Sequence, residues 1–412
     1  MKRILPWLLI GVIIRLVIIP ITLHPDIRGF ALGAQLISSG HILDFYDYLS
    51  RLPSDSPLVR LYGRDLFIYP PLANSYPAVY MKLLWPFYPQ ELLHTLIIDM
   101  GKVIGQPQLS LLLYLLKLPN LVVDFLIVYL LGKFFEKRAD KSLGQILWLI
   151  NPVTIYSAYM LTQSDILLAL SIMVCLLFAK KGKYCQAAFA LAMGALVKQF
   201  VLFLLPILAL YAPGSFIKKL GIFLVGIMSY ALVLVPYLSS PGFRHYALLA
   251  SQADKIFFAK IPVSGGAFLP IFLVGMFLLY WFCWLYARKY ELWQWFMWPL
   301  LLFYSVVHFH PQWFTWITPI LVIFLVRLQK KAILPTLAML WAFLGIILMF
   351  EPSLNVGLFA PLNPPWSNDY SLLPLLTKLL PEVTLRSVFF AFLASAAGVV
   401  SYLSFKRTVN AN

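Results

Sequence analysis

The sequence predicts an all-α integral membrane protein with about twelve transmembrane helices and with interfacial helices in a large first external loop. Of its 412 residues, 61% are hydrophobic and only 12% are charged, whereas soluble domains average about 45–50% and about 25%. A helix needs about 20 apolar residues to cross the hydrocarbon core, so the length accommodates about a dozen spans. A soluble multidomain enzyme is therefore excluded.

Twelve apolar segments fit such spans, although several are short and need tilt or burial. They are residues 4–23, 109–132, 143–160, 165–179, 186–198, 200–212, 218–238, 267–287, 292–308, 313–327, 332–350 and 385–404. We expect the first to be retained, because it is too long for a signal peptide and lacks a small-residue cleavage site. Since no internal repeat is visible, residues 1–412 are expected to form a single polytopic membrane domain.

The distribution of Lys and Arg predicts the orientation of these spans. Eighteen of the 32 basic residues cluster at 2–3, 133–141, 180–183, 218–219, 288–289, 327–331 and 406–407, and the positive-inside rule makes that side cytoplasmic. Both termini are then cytoplasmic, and loops 24–108, 239–266 and 351–384 are external. Thirteen of 16 acidic residues and all six histidines lie outside the cytoplasmic loops. We therefore expect a multi-pass protein of the cell membrane whose chemistry faces outward.

Neither a disulfide framework nor a metal site is predicted. The three cysteines, Cys175, Cys185 and Cys283, are odd in number and show no C-x-x-C spacing. His308 and His310 are two residues apart, but no third ligand has a spacing compatible with zinc. We therefore expect no cofactor and no metal ion.

Asp26 is the first candidate for a chemical role, because it follows the first span directly. A carboxylate at the outer mouth of a helix bundle can act as a general base toward a hydroxyl group. Alternatively, Asp26 only caps the following helix, since Asp is favoured at helix N-termini. Arg15 lies near the middle of the first span, where a cation is costly, so we expect it to be functional or paired.

Two further stretches of the first loop, residues 30–37 and 69–89, predict amphipathic helices that lie in the membrane interface. The second stretch begins with Tyr69 and two prolines. The Tyr69 ring is predicted to form either a wall for a sugar or part of an interfacial aromatic belt.

Polar residues recur in and beside the second to fourth spans. Lys117 and Asp124 are seven residues apart, on one helix face, and either belong to a site or neutralise nearby charges. Asn151 before Pro152 indicates either a site residue or a kink whose freed carbonyl is satisfied.

Three further motifs carry amide, carboxylate, Lys and His side chains. Lys and His donors that face an outward cavity suit a phosphate leaving group. Asp165 is alternatively a helix N-cap. The motifs are Gln163-Ser164-Asp165, Lys198-Gln199 and His308-x-His310-Pro311-Gln312-Trp313.

The order of these motifs resembles the GT-C superfamily of polytopic glycosyltransferases. The resemblance is to the branch that contains the catalytic subunit of GPI mannosyltransferase I and bacterial polyprenyl-phosphate-dependent mannosyltransferases. The matching positions are Asp26, Gly40, Tyr46, Tyr69-Pro70-Pro71-Leu72, Lys117, Asp124, Asn151-Pro152, Gln163-Ser164-Asp165, Lys198-Gln199 and residues 308–313. The chain departs from the eukaryotic pattern in its extended segment between Tyr46 and Tyr69 and in having no Asp-x-Asp pair in the first loop.

The resemblance implies transfer of a hexose, with mannose expected, from a polyprenyl-phosphate donor to a hydroxyl group of a glycolipid or glycan acceptor. It also implies that the active site is external, that the anomeric carbon is inverted and that Asp26 is the catalytic general base. Membrane lipids are the other partners; no nucleic acid is expected, and no nucleotide fingerprint is present. The candidates for binding the donor phosphate are Lys198, His310, Arg28, Arg64 and Arg244, and those for the sugar pocket are Gln163, Asp165, Tyr69, His308 and Gln312.

Two other classes of function share some of these features. A transporter or flippase for a lipid-linked sugar would also carry intramembrane charges, but it would tend to show repeated halves. A polysaccharide polymerase or ligase would use the same donor and would depend on Arg244 and His245 more than on Asp26.

Overall fold

The protein is almost entirely helical. A computed structural model describes residues 4–367, 373–378 and 380–409. Lys2 and Arg3 of the first basic cluster lie outside the described residues, as do positions 368–372 and 379 of the predicted loop 351–384. The α-helices are α1 Leu5–Ile21, α2 Asp26–Ser38, α3 Tyr48–Arg51, α4 Pro57–Tyr62, α5 Leu72–Leu84, α6 Gln90–Ile98, α7 Leu109–Lys117, α8 Pro119–Phe134, α9 Arg138–Leu149, α10 Pro152–Ile155, α11 Ile166–Lys180, α12 Tyr184–Ala195, α13 Leu204–Tyr211, α14 Phe216–Leu234, α15 Ile271–Tyr286, α16 Leu292–Val306, α17 Thr318–Leu328, α18 Lys330–Leu348, α19 Leu373–Leu376 and α20 Glu382–Val409.

Short segments of tighter or wider helix connect these elements. The 3₁₀ segments are Phe45–Asp47, Trp85–Phe87, Met100–Val103, Gln199–Phe203, Val235–Tyr237, Ser251–Phe257, Ser264–Gly266, Ala287–Lys289, Pro311–Trp316, Pro352–Leu354, Val356–Phe359 and Pro364–Ser367, and the π-helical segments are Tyr156–Met160 and Phe243–Leu248. Several of them abut α-helices within predicted spans, so those spans are not single regular helices.

One β-hairpin departs from the predicted all-α class. Strand β1 Lys260–Pro262 pairs antiparallel with β2 Phe268–Pro270. The connecting turn contains Gly265 and Gly266, whose φ angles are 67° and 79°, values that only glycine adopts without strain. The predicted span 267–287 is wrong at its start for this reason, because the helix begins after the second strand.

The structure contains helices that are long and apolar enough to cross a membrane. Among the described residues these are Phe216–Tyr237, Ile271–Lys289, Lys330–Leu348 and Glu382–Lys406. Two bent pairs, Leu5–Ile21 with Asp26–Ser38 and Leu109–Lys117 with Pro119–Phe134, raise the number from four to six if each pair is one span. Each of the twelve predicted segments contains helix, but the number of crossings and their orientation stay predictions.

The predicted span 143–160 shows why several segments are shorter than a crossing. Helix α9 ends at Leu149, and Asn151 caps the next helix by accepting hydrogen bonds from the backbone N–H groups of Val153 and Thr154 at 2.9 and 3.1 Å. Asn151 and Pro152 therefore start a new helix, as an N-cap followed by a proline commonly does.

Helices of the predicted first loop pack onto the bundle. The chain bends by 94° between α1 and α2, and α2 packs against α5. The backbone N–H of Leu72, at the start of α5, donates to the carbonyl oxygen of Leu196 at 2.9 Å. This bond places Tyr69 beside Lys198. The predicted helices within 30–37 and 69–89 are present as α2 and α5, and their position at the membrane interface stays a prediction.

Candidate active site

Asp26 is the first residue of α2 and lies next to the bend after α1. The N-cap of α2 is Pro25, and Asp26 is the first residue inside the helix, so the alternative that Asp26 caps this helix is wrong. Instead, its Oδ2 accepts a hydrogen bond of 2.8 Å from Gln163 Nε2. His24 Nδ1 lies 3.7 Å from the same oxygen, and 48% of the Asp26 side chain is exposed. Asp26 thus has one fixed partner and a free face, as a general base requires.

The turn at 162–164 holds Gln163 against Asp26. Thr162 has a φ of 60°, a conformation that β-branched residues rarely adopt. The backbone N–H of Gln163 donates to the carbonyl oxygen of Ser157 at 3.0 Å. Gln163 is fully buried, and its Oε1 has no hydrogen-bond partner among the described residues. A buried acceptor without a partner is costly, so this oxygen is suited to a hydroxyl donor of a bound ligand.

Gln312 lies beside the same turn. Its carbonyl oxygen accepts a hydrogen bond of 3.3 Å from Ser157 Oγ. Its own side-chain Oε1 and the Trp313 Nε1 are also buried without a partner in the described part of the chain. Two amide oxygens and an indole N–H are therefore available in one region for the hydroxyl groups of a ligand.

Tyr69 lies between Asp26 and Lys198. Its ring stacks on Phe30 with the centroids 6.3 Å apart, and Lys198 Nζ is 4.7 Å from its centroid. Asp26, Phe30 and Tyr69 line a cavity of about 340 Å³. Burial, and then the charges of Asp165 and Asp26, raise the pKa of Tyr69, so its phenol stays neutral. The structure therefore gives the cavity an aromatic wall beside the carboxylate.

Lys198 is paired with Asp165 and is not a free cation. Its Nζ lies 2.9 and 2.8 Å from the two carboxylate oxygens, and Trp316 Nε1 donates to Oδ1 at 2.6 Å. Lys198 is 2% and Asp165 0% exposed. Asp165 does occupy the N-cap position of α11, as the alternative predicted, but its side chain makes no capping hydrogen bond and is bound to Lys198 and Trp316 instead. The charge predicted for the donor phosphate is largely neutralised at Lys198.

Lys255 is a cation that the sequence interpretation missed. Its Nζ lies 4.9 Å from the centroid of a Trp313 ring, which Lys198 also approaches at 5.4 Å. Burial, with the nearby charge of Lys198, lowers the pKa of Lys255 to about 8. No ion pair between Lys255 and an acidic side chain occurs among the described residues. Lys255 lies in a predicted external loop, and nothing in the local sequence distinguishes it from a lysine on the surface. Its position beside Trp313 is visible only in the structure.

His308 and His310 complete a basic cluster with Lys255. The two imidazole centroids are 6.0 Å apart, and His310 lies 5.5 Å from the Trp313 ring. Burial, and then the charge of Lys255, lower the pKa of His310 to about 3. His310 is therefore neutral at pH 7 and offers an N–H donor, whereas the sequence predicted a cation at this position.

The three predicted phosphate-binding arginines each bind backbone carbonyl groups. Arg28 Nη2 donates to Ile97 and Ile98 at 3.2 and 3.1 Å, and Arg28 lines the same cavity as Asp26. Arg64 donates to the Ser50 carbonyl oxygen, and Arg244 donates to a carbonyl oxygen of its own loop. Of the three, the structure brings Arg28 to the cavity of Asp26.

Lys117 and Asp124 do not form a shared site. A bend of 41° separates α7, which ends at Lys117, from α8. Lys117 Nζ donates to the carbonyl oxygens of Ile19 and Thr22 at 3.0 and 2.5 Å, whereas Asp124 pairs with Arg15. Both residues bind groups of α1 or of the turn after it, so their contacts are structural and do not form a site.

Comparisons with known proteins add no family to this description. Among the described residues, no group of three or more His, Cys, Asp or Glu side chains is placed to hold a metal ion. No protein-family model matches the chain, and no curated protein sequence matches it. The function is therefore argued from the site.

Proposed function

We propose that the protein is a membrane glycosyltransferase. It transfers a hexose, with mannose as the expected sugar, from a polyprenyl-phosphate donor to a hydroxyl group of a glycolipid or glycan at the outer face of the cell membrane. The observation that carries this proposal is the arrangement of a half-exposed carboxylate, Asp26, and an unpaired basic cluster, Lys255 with two histidines, around one buried core.

A chain of contacts between these two groups supports assigning them to one site. Asp26 and Tyr69 line one cavity, Tyr69 contacts Lys198, and Lys198 and Lys255 approach one ring of Trp313. A base at one end and, at the other, the cation Lys255 with the neutral N–H donor of His310 suit the displacement of a phosphate by a hydroxyl group.

The reaction then proceeds as an in-line displacement. The acceptor oxygen attacks the anomeric carbon from the face opposite the phosphate, and its proton passes to Asp26. The bond between the anomeric carbon and the phosphate oxygen breaks, and its electron pair stays on the phosphate. Lys255 and the N–H group of His310 stabilise the charge that develops there, as preorganised donors do in other transferases. The step balances without a cofactor or a metal ion.

The unpartnered amide oxygens support a sugar as the ligand. Gln163 Oε1 and Gln312 Oε1 are buried acceptors, and sugar hydroxyl groups are donors that would satisfy both. Tyr69 contributes an aromatic ring to the cavity that Asp26 lines, and aromatic rings suit the apolar faces of a pyranose ring. Lys198 and Asp165 hold this wall in place through their buried ion pair.

One observation favours a second class, a transporter of the lipid-linked sugar. Helices α1 and α2 have the lengths and composition of a span that is broken by 94° directly beside Asp26, and broken helices mark substrate sites in transporters. The experiment must therefore separate transfer of the sugar from movement of the intact donor.

Transfer of radiolabel in proteoliposomes makes this separation. A panel of synthetic polyprenyl-phosphate sugars is offered with a crude membrane extract as acceptor, and the wild type is compared with Asp26→Asn. The matched control is Asp55→Asn, which alters an exposed carboxylate of the same predicted loop. We expect Asp26→Asn to lower turnover by about 10²–10⁴-fold, the usual contribution of a general base, and the control to retain it.

The alternative outcomes are distinct. Wild-type turnover in Asp26→Asn removes this residue from the mechanism. Movement of the intact donor across the bilayer, equal in both proteins and without consumption of any donor, replaces the glycosyltransferase by the transporter.

A further inference from the structure

A large apolar groove runs along α15, remote in sequence from Asp26. It has a volume of about 760 Å³. Helix α16 packs against both α15 and α20, so α16 forms the floor and the other two helices form the walls. The residues that line it include Gly275, Lys289, Trp295, Trp298, Ser401 and Tyr402.

The groove is somewhat longer than the hydrocarbon part of one leaflet of a bilayer. It extends from Gly275 to Lys289, which is about 20 Å at the rise of a helix, and half of a hydrocarbon core is about 15 Å. Leu302 packs onto Gly275 so closely that a Cβ there would lie 2.4 Å from its side chain. This contact narrows the groove at Gly275, and Lys289 lies at its opposite end.

The floor of the groove is held in place by hydrogen bonds that point inward. Trp295 Nε1 donates to the carbonyl oxygen of Ala287 at 3.0 Å, and Trp298 Nε1 donates to Ser404 Oγ at 2.9 Å. The two indole rings meet edge to face at 4.9 Å. Because both N–H groups are used, the rings present an apolar surface to the groove.

Positive charge is concentrated at the open end. Lys289 Nζ lies 5.8 Å from the ring centroids of Tyr286 and Tyr290 and 6.0 Å from that of Phe405. Lys406 lies beside the groove, with its Nζ 5.9 Å from the Tyr402 ring. No acidic side chain lines the groove. An anion at this end would meet two cations and the polar rim of an otherwise apolar channel.

We propose that this groove binds an anionic phospholipid, with one acyl chain along α15 and with the phosphate between Lys289 and Lys406. Helix α15 is one of the candidate spans and is largely exposed, so hydrocarbon is the medium that covers it. Both lysines belong to the side that the Lys and Arg distribution predicts to be cytoplasmic, where anionic lipids attract basic residues. The proposal is independent of the sugar-transfer reaction.

Native mass spectrometry of the full-length protein tests the proposal. The protein is incubated with an equimolar mixture of phosphatidylglycerol and phosphatidylcholine in detergent micelles, and the detergent is removed in the mass spectrometer. The lipids that stay bound to the wild type are compared with those bound to Lys289→Gln and Lys289→Gln/Lys406→Gln. The matched control is Lys330→Gln/Lys331→Gln, a basic pair at the predicted same side that does not line the groove. We expect the wild type to retain the anionic lipid selectively, and each lost lysine to lower that selectivity about fivefold.

A second variant guards against a folding defect. Ser401→Trp fills the groove without removing a charge, and we expect it to abolish retention of the lipid while the far-ultraviolet circular dichroism stays unchanged. Equal retention of both lipids by the wild type, unchanged selectivity in the lysine variants, or a lipid-free dimer in place of the lipid-bound monomer would overturn the proposal.

Discussion

Arg15 and Asp124 form an ion pair in which both side chains are fully buried, with Arg15 Nε 2.5 Å from Asp124 Oδ2. Arg15 Nη1 also donates to the Leu149 carbonyl oxygen at 2.7 Å. The indole N–H of Trp148 and the hydroxyl of Tyr159 donate to the same carboxylate at 2.6 and 2.7 Å. One carboxylate therefore joins α1, α8, α9 and the segment that precedes α11.

Asp124→Ala should destabilise the protein by about 3–5 kcal/mol, because it leaves the Arg15 charge buried without its partner. The measurement is the thermal unfolding of the purified protein in detergent. Glu136→Ala, which removes an exposed carboxylate paired with Lys180, is the control and should leave the unfolding temperature unchanged. An unchanged unfolding temperature for Asp124→Ala would show that the pair is not structural.

Lys198→Met tests whether the buried pair with Asp165 is structural. We expect a loss of about 3–5 kcal/mol, because the carboxylate then keeps only the Trp316 donor in a buried position. Replacing both partners, as in Lys198→Met/Asp165→Leu, should destabilise less than the sum of the two single variants. Additive losses in the same unfolding assay would argue against direct coupling. Full stability with lost transfer would restore Lys198 as a phosphate ligand.

The activity is expected to fall as the pH rises through about 8. In the proposed reaction Lys255 contacts the donor phosphate as a cation, and a lysine is protonated below its pKa. With a pKa of about 8 in the free protein, its cationic fraction drops about tenfold per pH unit above that value. The readout is the pH dependence of kcat/KM for the donor, which reports the free enzyme.

Two variants check this assignment. Lys255→Arg should hold kcat/KM level above pH 8, because arginine stays charged, and Lys255→Met should lower it throughout. Lys260→Met, an exposed lysine of the neighbouring hairpin, should behave like the wild type. An alkaline limb that survives in Lys255→Arg belongs to another group.

Gln163 is predicted to act by positioning Asp26. Gln163→Leu removes the hydrogen bond to the carboxylate, and a bond to a charged group contributes about 1.5–3 kcal/mol. We expect kcat to fall about 10–100-fold, and KM for the donor to rise as well because Gln163 Oε1 no longer accepts a sugar hydroxyl group. Gln145→Leu removes a comparable amide that bonds to a backbone carbonyl in α8, and it should leave kcat intact. A rise in KM alone would assign Gln163 to binding.

The positions of the helices were largely accessible from the sequence, because long apolar runs bounded by Lys and Arg need no tertiary information. The predicted ends of the helices were less accurate, as Asn151 and Pro152 illustrate. The same two residues fit a kink within one helix and the start of a new helix, and only the capping hydrogen bonds distinguish the two. The hairpin was missed for a related reason. Its strands have three residues each, too few to show an alternating pattern.

The candidate site was accessible in part. Asp26 and Tyr69 were identified from their place in the first loop, and the structure brings both to one cavity. The pairing of Lys198 with Asp165 was not accessible, since the two residues are 33 positions apart and nothing local indicates their contact. Lys255 was missed because its proposed role depends on its burial and on its contact with Trp313, which result from the fold.

The left-handed backbone at Thr162 has a cost that a glycine would avoid. A β-branched residue in this conformation costs about 1–3 kcal/mol, so Thr162→Gly should raise the unfolding temperature or leave it unchanged. The same variant should lower kcat, because the turn that aims Gln163 at Asp26 becomes more flexible. The residue at position 162 therefore affects stability and kcat in opposite directions: glycine favours stability, and threonine favours kcat. Selection for stability alone would favour glycine at position 162. Threonine is expected where selection favours a fixed position of the Gln163 amide group against Asp26.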